Sequence, residues 1–230
     1  MNPMIGILAG MGPKSTAPFI DLVVEECRRQ YGAKNDDDFP PMMIYSLPTP
    51  FYMDRPVDHD AMKRTIVEGL QKLASTGADY IAMPCNTAHA YYAELRQAID
   101  VPLLNIIEKT VVNLPQKPQK STLFATNSTF DTGLYQKAIR DKGHTFVFRE
   151  EWQDRINAVI RSIKAGDDQA MAIWRELLDD VCREQIDHVV IACTDLNAVS
   201  AQAPPDVPVI DSSKCLAEAV VKQYMRLLNR

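Results

Sequence analysis

Short apolar runs alternate along this chain with longer stretches in which apolar residues recur every three or four positions. That alternation predicts strands followed by helices in a parallel α/β architecture. Residues 4–9 read as a buried strand, Gly10-Met11-Gly12-Pro13 as a turn, and residues 14–31 as a helix with Phe19, Leu22, Val23 and Cys27 at helical spacing. A strand at 42–47 leads into a long loop, 48–58. Residues 58–76 carry Met62, Ile66, Leu70 and Leu73 on one helical face, and Gly77 supplies a stop. A third strand runs into Cys85, a helix spans 87–99, and Val101-Pro102-Leu103-Leu104 is a short fourth strand.

The second half repeats the pattern. Strands are expected at 122–125, at 144–148 and in the run ending at Cys193, with helices at 132–142, 152–165 and 167–184. Val207-Pro208-Val209-Ile210 mirrors Val101-Pro102-Leu103-Leu104, and Cys85 and Cys193 lie 108 residues apart in a chain of 230. These correspondences indicate an internal duplication. The polar, proline-rich stretch 113–120 reads as the linker, and the last helix, 213–228, is expected to pack back on the first half. The expected domains are therefore residues 1–113 plus 209–230, carrying Cys85, and residues 114–208, carrying Cys193. Each is expected to hold a four-stranded parallel sheet flanked by helices.

Composition narrows the function classes. The chain is 46% hydrophobic with a net charge of −5, which argues against nucleic acid or an anionic membrane as partner. No apolar run approaches the roughly 20 residues of a membrane span, and no export segment is read at the N-terminus. The five cysteines are odd in number and include no Cys-x-x-Cys pair. Neither a disulfide framework nor a metal site is indicated, and reduced thiols in the cytoplasm are expected. Asp36-Asp37-Asp38 reads as a solvated loop. Gly10-Met11-Gly12 lacks the spacing of a nucleotide-binding loop; it is expected to shape a pocket floor, with Met11 near the ligand.

Candidate chemistry centres on Cys85 and Cys193. Both end apolar runs, Ala78 to Cys85 and Ile186 to Cys193, and are followed by small polar residues, Asn86-Thr87 and Thr194-Asp195. Carboxyl ends of parallel strands are where ligands bind, and a thiol at the start of a helix has its thiolate stabilised by exposed N–H groups. Two such thiols suit removal of a proton from one face of a carbon and its return on the other. Cys27, Cys182 and Cys215 fall within helical patterns and are read as core or incidental. Thr126-Asn127-Ser128-Thr129 can bind a carboxylate, cap a helix, or do both. His89, one turn after Cys85, either tunes that thiol or caps the helix.

Three motifs together carry a resemblance that spans essentially the whole chain. Gly6-Ile7-Leu8-Ala9-Gly10-Met11-Gly12-Pro13, Pro84-Cys85-Asn86-Thr87-Ala88-His89 and Ala192-Cys193-Thr194 resemble the aspartate/glutamate racemase superfamily, and most of all its aspartate racemase branch. The resemblance implies two α/β domains related by a pseudo-twofold axis, with the active site between them. It also implies cofactor-independent racemisation of aspartate or glutamate, with Cys85 and Cys193 as the acid/base pair. By the same resemblance Asn86, Thr87 and Thr194 hold the substrate carboxylate and orient the thiols. Arg55 and Lys164 match carboxylate-binding cations from the long loop and from the second domain, and a homodimer is implied. Asp195 stands where the family most often has glutamate, a difference expected to tune the second thiol or the contact with the substrate amine. The loop before Arg55 is longer and more aromatic than usual. The rival expectations are a maleate isomerase or hydantoin racemase of the same superfamily, or a non-catalytic protein that binds an acidic amino acid.

Overall fold

A strand that is apolar throughout sits where both faces of a sheet are covered, and β1 (Ile5–Ala9), buried at every residue, is the middle strand of the first sheet. The computed structural model describes residues 2–52, 55–200 and 207–229. A single 3-10 turn at Pro13–Ser15 precedes α1 (Thr16–Tyr31), which buries Phe19, Val23 and Cys27 and ends where Gly32 turns left-handed at φ 76°. β2 (Met42–Ser46) pairs in parallel with β1. α2 (His59–Ala74) starts at Asp58, whose carboxylate accepts the Ala61 N–H at 2.9 Å, and it buries Met62, Ile66, Leu70 and Leu73. β3 (Tyr80–Ala82) lies on the other side of β1, giving the order β2-β1-β3.

The expected fourth strand of this sheet is reduced to one parallel bridge between Ile81 and Leu103. The Ile81 N–H reaches the Pro102 carbonyl at 2.8 Å and the Leu104 N–H reaches the Ile81 carbonyl at 2.9 Å. Among the described residues the ladder does not extend beyond this bridge, so the sheet has three strands rather than four. The expected helix at 87–99 is divided into a 3-10 stretch, Thr87–Tyr91, and α3 (Tyr92–Gln97). The short helix α4 (Ile106–Val111) was not expected.

The second sheet has all four strands. β4 (Lys120–Ala125) leads through α5 (Asn127–Phe130) and α6 (Leu134–Asp141) to β5 (Thr145–Phe146). Next come α7 (Glu150–Ala165), α8 (Ala170–Arg183), β6 (His188–Ala192), α9 (Asn197–Ser200) and β7 (Val209–Asp211). The strand order is β5-β4-β6-β7, all parallel. Counting the Leu103 bridge as a fourth position, both sheets run second-first-third-fourth in chain order, the topology a duplication would leave. Trp152 and Trp174 are buried here, and Trp174 meets the Phe124 ring edge-on at 5.5 Å.

The last helix, α10 (Ser212–Leu228), returns to the first unit: the Tyr80 hydroxyl donates to the Val220 carbonyl at 2.6 Å, and Gln30 Nε2 to that of Glu218 at 3.1 Å. The first compact unit takes residues up to Ile106 and from Ser213 onward, and the second takes Ile107–Ser212. These limits differ from the expected 113/114 and 208/209, and bonding explains both shifts. The α4 residue Thr110 lies 3.4 Å from the Tyr135 hydroxyl of α6, and β7 pairs with β6 from Val189↔Val209 to Ile191↔Asp211. Among the described residues no helix is long and apolar enough to cross a membrane.

Candidate active site

In the first unit the chain leaves β3 through Met83-Pro84, and a tight turn closes from the Cys85 N–H to the Met83 carbonyl at 2.8 Å. Cys85 and Asn86 are buried and Thr87 is half-buried. Cys85 thus lies past the carboxyl end of β3, and Gly10 follows the last residue of β1, the strand paired with it. Gly10 has φ 92°, and a Cβ there would lie 2.5 Å from the Leu47 backbone nitrogen and 2.6 Å from its oxygen. Its N–H donates to Thr16 Oγ1 at 3.1 Å, fixing the turn that follows β1. Met11 is buried in the same apolar cluster as Cys85 and Tyr91.

His89 acts on the backbone of this half-site. Its Nε2 accepts the Ile106 N–H at 3.1 Å, so the proton sits on Nδ1, which donates to the Cys85 carbonyl at 2.7 Å. Burial lowers its pKa and keeps the ring neutral. The imidazole therefore ties the residue that bears the thiol to the start of α4.

Two neighbours that sequence reasoning missed are Tyr91 and His59, bonded through the phenol oxygen and Nδ1 at 2.7 Å. Burial first, then the charge of Cys85, raises the Tyr91 pKa. Their pairing spans 32 residues and has no local motif. Arg55 is exposed, with its guanidinium carbon 4.2 Å from the centre of the Tyr52 ring. Met53 and Asp54 of the same motif lie outside the described residues.

In the second unit Cys193 follows β6 directly and caps a 3-10 turn, Thr194–Leu196, with its carbonyl accepting the Leu196 N–H at 3.1 Å. Cys193, Thr194 and Asp195 are all buried. The Cys193 thiol is pushed up to about 12, by burial first and then by the Asp195 carboxylate. The N–H groups of Asp195 and Leu196 and the Lys164 ammonium oppose that rise. Lys164, in the last turn of α7, places Nζ 2.8 Å from Asp195 Oδ2; the carboxylate side chain is 8% exposed and the lysine 33%.

Continuing the β4–β6 register past Ala125↔Ala192 sets Thr126 beside Cys193. The Thr126 hydroxyl caps α5 by accepting the Thr129 N–H at 3.3 Å. Thr129 is buried and Ser128 half-buried. Asn127 Oδ1 accepts from Asn157 at 3.1 Å, and Gln153 donates to the Ala125 carbonyl at 3.1 Å. Gln153 and Asn157 thus join α7 to the end of β4; on the sequence they are ordinary polar positions of an amphipathic helix. Of the other cysteines, Cys27 and Cys215 are buried and Cys182 is exposed.

Two parallel α/β units of one strand order, each with a cysteine just past its third strand, define a duplicated two-thiol protein. The chain belongs to the Asp/Glu/hydantoin racemase family, whose description matches residues 8–220. It is 47% identical over 224 residues to the broad specificity amino-acid racemase RacX of Bacillus subtilis (strain 168), covering 96% of this chain and 98% of that protein. It is 30% identical over 176 residues to the glutamate racemase of Persephonella marina, covering 72% and 67%. Among solved structures it resembles the Picrophilus torridus aspartate racemase with a TM-score of 0.79 at 28% identity, over 97% of this chain and 94% of that one.

Proposed function

We propose that this enzyme racemises free amino acids, aspartate and glutamate among them, by 1,1-proton transfer between Cys85 and Cys193 and without pyridoxal phosphate. The observation that carries the proposal is the recurrence of a buried cysteine just past the third strand in each of two units of one topology. A thiolate on one face of Cα takes the α-proton and leaves the bonding pair on carbon. The thiol on the other face delivers its proton to that pair, the centre inverts, and the two sulfurs exchange protonation states. Because the Cys193 thiol is pushed up to about 12, it enters one direction as the proton donor, and Cys85 is then the base. Asn86, Thr87, Thr194 and the Thr126–Thr129 turn supply the hydroxyl, amide and N–H groups that suit a carboxylate. Arg55 is the cation proposed to reach it from the loop. The barrier to removing so weak an acid's proton is met by positioning and by exclusion of water. That agrees with the burial of both cysteines.

Proton NMR in deuterated water with L-aspartate and L-glutamate tests the reading. The D-product is expected to carry deuterium at Cα, and activity is expected to survive hydroxylamine treatment and dialysis, which would strip pyridoxal phosphate. Cys85→Ser and Cys193→Ser should each lower racemisation by at least about 100-fold, the scale of losing a positioned acid or base. Near-normal racemisation by either variant would end the two-thiol assignment.

A further inference from the structure

The ion pair beside Cys193 bears on which side chains the site admits. Lys164 and Asp195 belong to different elements, yet Nζ and Oδ2 stand 2.8 Å apart. Asp195 lies two residues beyond the thiol and is almost fully enclosed, whereas Lys164 is one-third exposed. The surroundings of Cys193 therefore contain a cation and an anion that cancel. A ligand carboxylate approaching Lys164 meets an ammonium already paired, and it meets the like charge of Asp195 as well. A buried carboxylate cannot turn away from its partner without losing compensation. A lysine held in this way gives a dicarboxylic amino acid little advantage over one with an uncharged side chain.

We propose that Asp195, by holding Lys164, is the specificity-determining residue that releases this site from a requirement for a side-chain carboxylate. The substrate class is then α-amino acids with uncharged as well as acidic side chains. The inference rests on the racemase reading above. It predicts opposite effects for the two halves of the pair. Asp195→Asn leaves a net positive charge beside the thiol and favours acidic substrates. Lys164→Gln leaves a net negative charge and favours basic ones.

The test measures α-proton exchange and enantiomer formation in deuterated water for aspartate, methionine and lysine, with the wild-type protein and both variants. In the wild type, kcat/KM for methionine is expected within roughly tenfold of that for aspartate. Asp195→Asn should raise the aspartate-to-lysine ratio of kcat/KM about tenfold, and Lys164→Gln should lower it by a similar factor, the scale of one unit charge at a half-solvated site. Loss of overall rate alone would move the three substrates together and leave the ratio in place. Wild-type turnover restricted to aspartate, or folded variants whose ratios stay fixed or shift in the same direction, would overturn the inference while leaving the racemase reading intact. Absence of exchange with all three substrates in the wild type would instead overturn the racemase reading and this inference with it. Should Asp195→Asn not fold, Lys164→Gln and the wild-type methionine-to-aspartate comparison each suffice to refute it.

Discussion

A thiol works as an acid or a base according to what surrounds the sulfur, and Cys193 is surrounded by opposing influences. Burial and the Asp195 carboxylate disfavour the thiolate; two backbone N–H groups and Lys164 favour it, and the balance sits at about 12. Such a group is protonated at neutral pH, so alkylation of Cys193 by iodoacetamide, followed by peptide mass spectrometry, should keep rising with pH up to at least pH 10. Asp195→Asn removes a charge that raises the pKa, so the same profile should shift to lower pH, with labelling several-fold faster at pH 8. A wild-type profile that levels off by pH 9 would contradict the described environment. At this scale the sequence revealed the two cysteines and their polar followers, because each lies in a contiguous motif. It did not reveal the pairing of Lys164 with Asp195 or of His59 with Tyr91, since those residues lie 31 and 32 positions apart and packing alone brings them together. The sequence allows His89 either to tune the thiol or to cap a helix. Its two ring nitrogens engage backbone groups of Cys85 and Ile106, a role that depends on α4, which the sequence did not announce.

Elements with a long period were legible and short ones were not. α1, α2, α7 and α8 each bury a stripe of three to five apolar residues over at least 14 positions, enough turns for the 3.6-residue repeat to emerge. α4, α5 and α9 have six, four and four residues, too few to establish a repeat. The reduced fourth strand of the first sheet departs from the duplication: Leu103 makes a single bridge to Ile81, whereas β7, which also follows a proline, pairs with β6 over three residues. The turn after β1 is set locally. Gly10 combines φ 92° with backbone atoms of Leu47 where a side chain would begin, and both features require glycine. Gly10→Ala is therefore expected to destabilise the first unit by about 2–4 kcal/mol through backbone strain and a forced shift of the β1–β2 edge, read as a lower urea midpoint at unchanged slope. A change under about 0.5 kcal/mol would mean that the turn adapts, and that its glycine does not fix the close approach of β1 to Leu47.

For the whole molecule, the duplication legible in two short motifs extends to the strand order of both sheets, while the amino end of the second sheet carries a histidine pair. Away from Cys193, at the amino end of β6, His188 Nδ1 donates to Gln119 Oε1 at 3.1 Å and Nε2 accepts from the Ser121 hydroxyl at 2.8 Å, while the ring stands edge-to-face with that of His144 at 5.4 Å. Burial first, then His144, lowers the His188 pKa to about 4, against a small opposing effect of Asp187. The sign follows from linkage. With a folded pKa below the ordinary histidine value near 6.5, the unfolded chain binds more protons, so the stabilisation is complete above about pH 6.5 and is lost as pH falls toward 4. Between pH 7 and pH 5 the loss from this one group is about 2 kcal/mol, and it should appear as a lower urea midpoint for tryptophan fluorescence, since Trp152 and Trp174 are buried in the same unit. His188→Gln keeps a hydrogen-bonding side chain without a titrating ring. It should flatten that dependence by most of this amount even if it lowers stability at pH 7. An equally steep decline in the variant would place the acid sensitivity in other groups and remove the two histidines from its account.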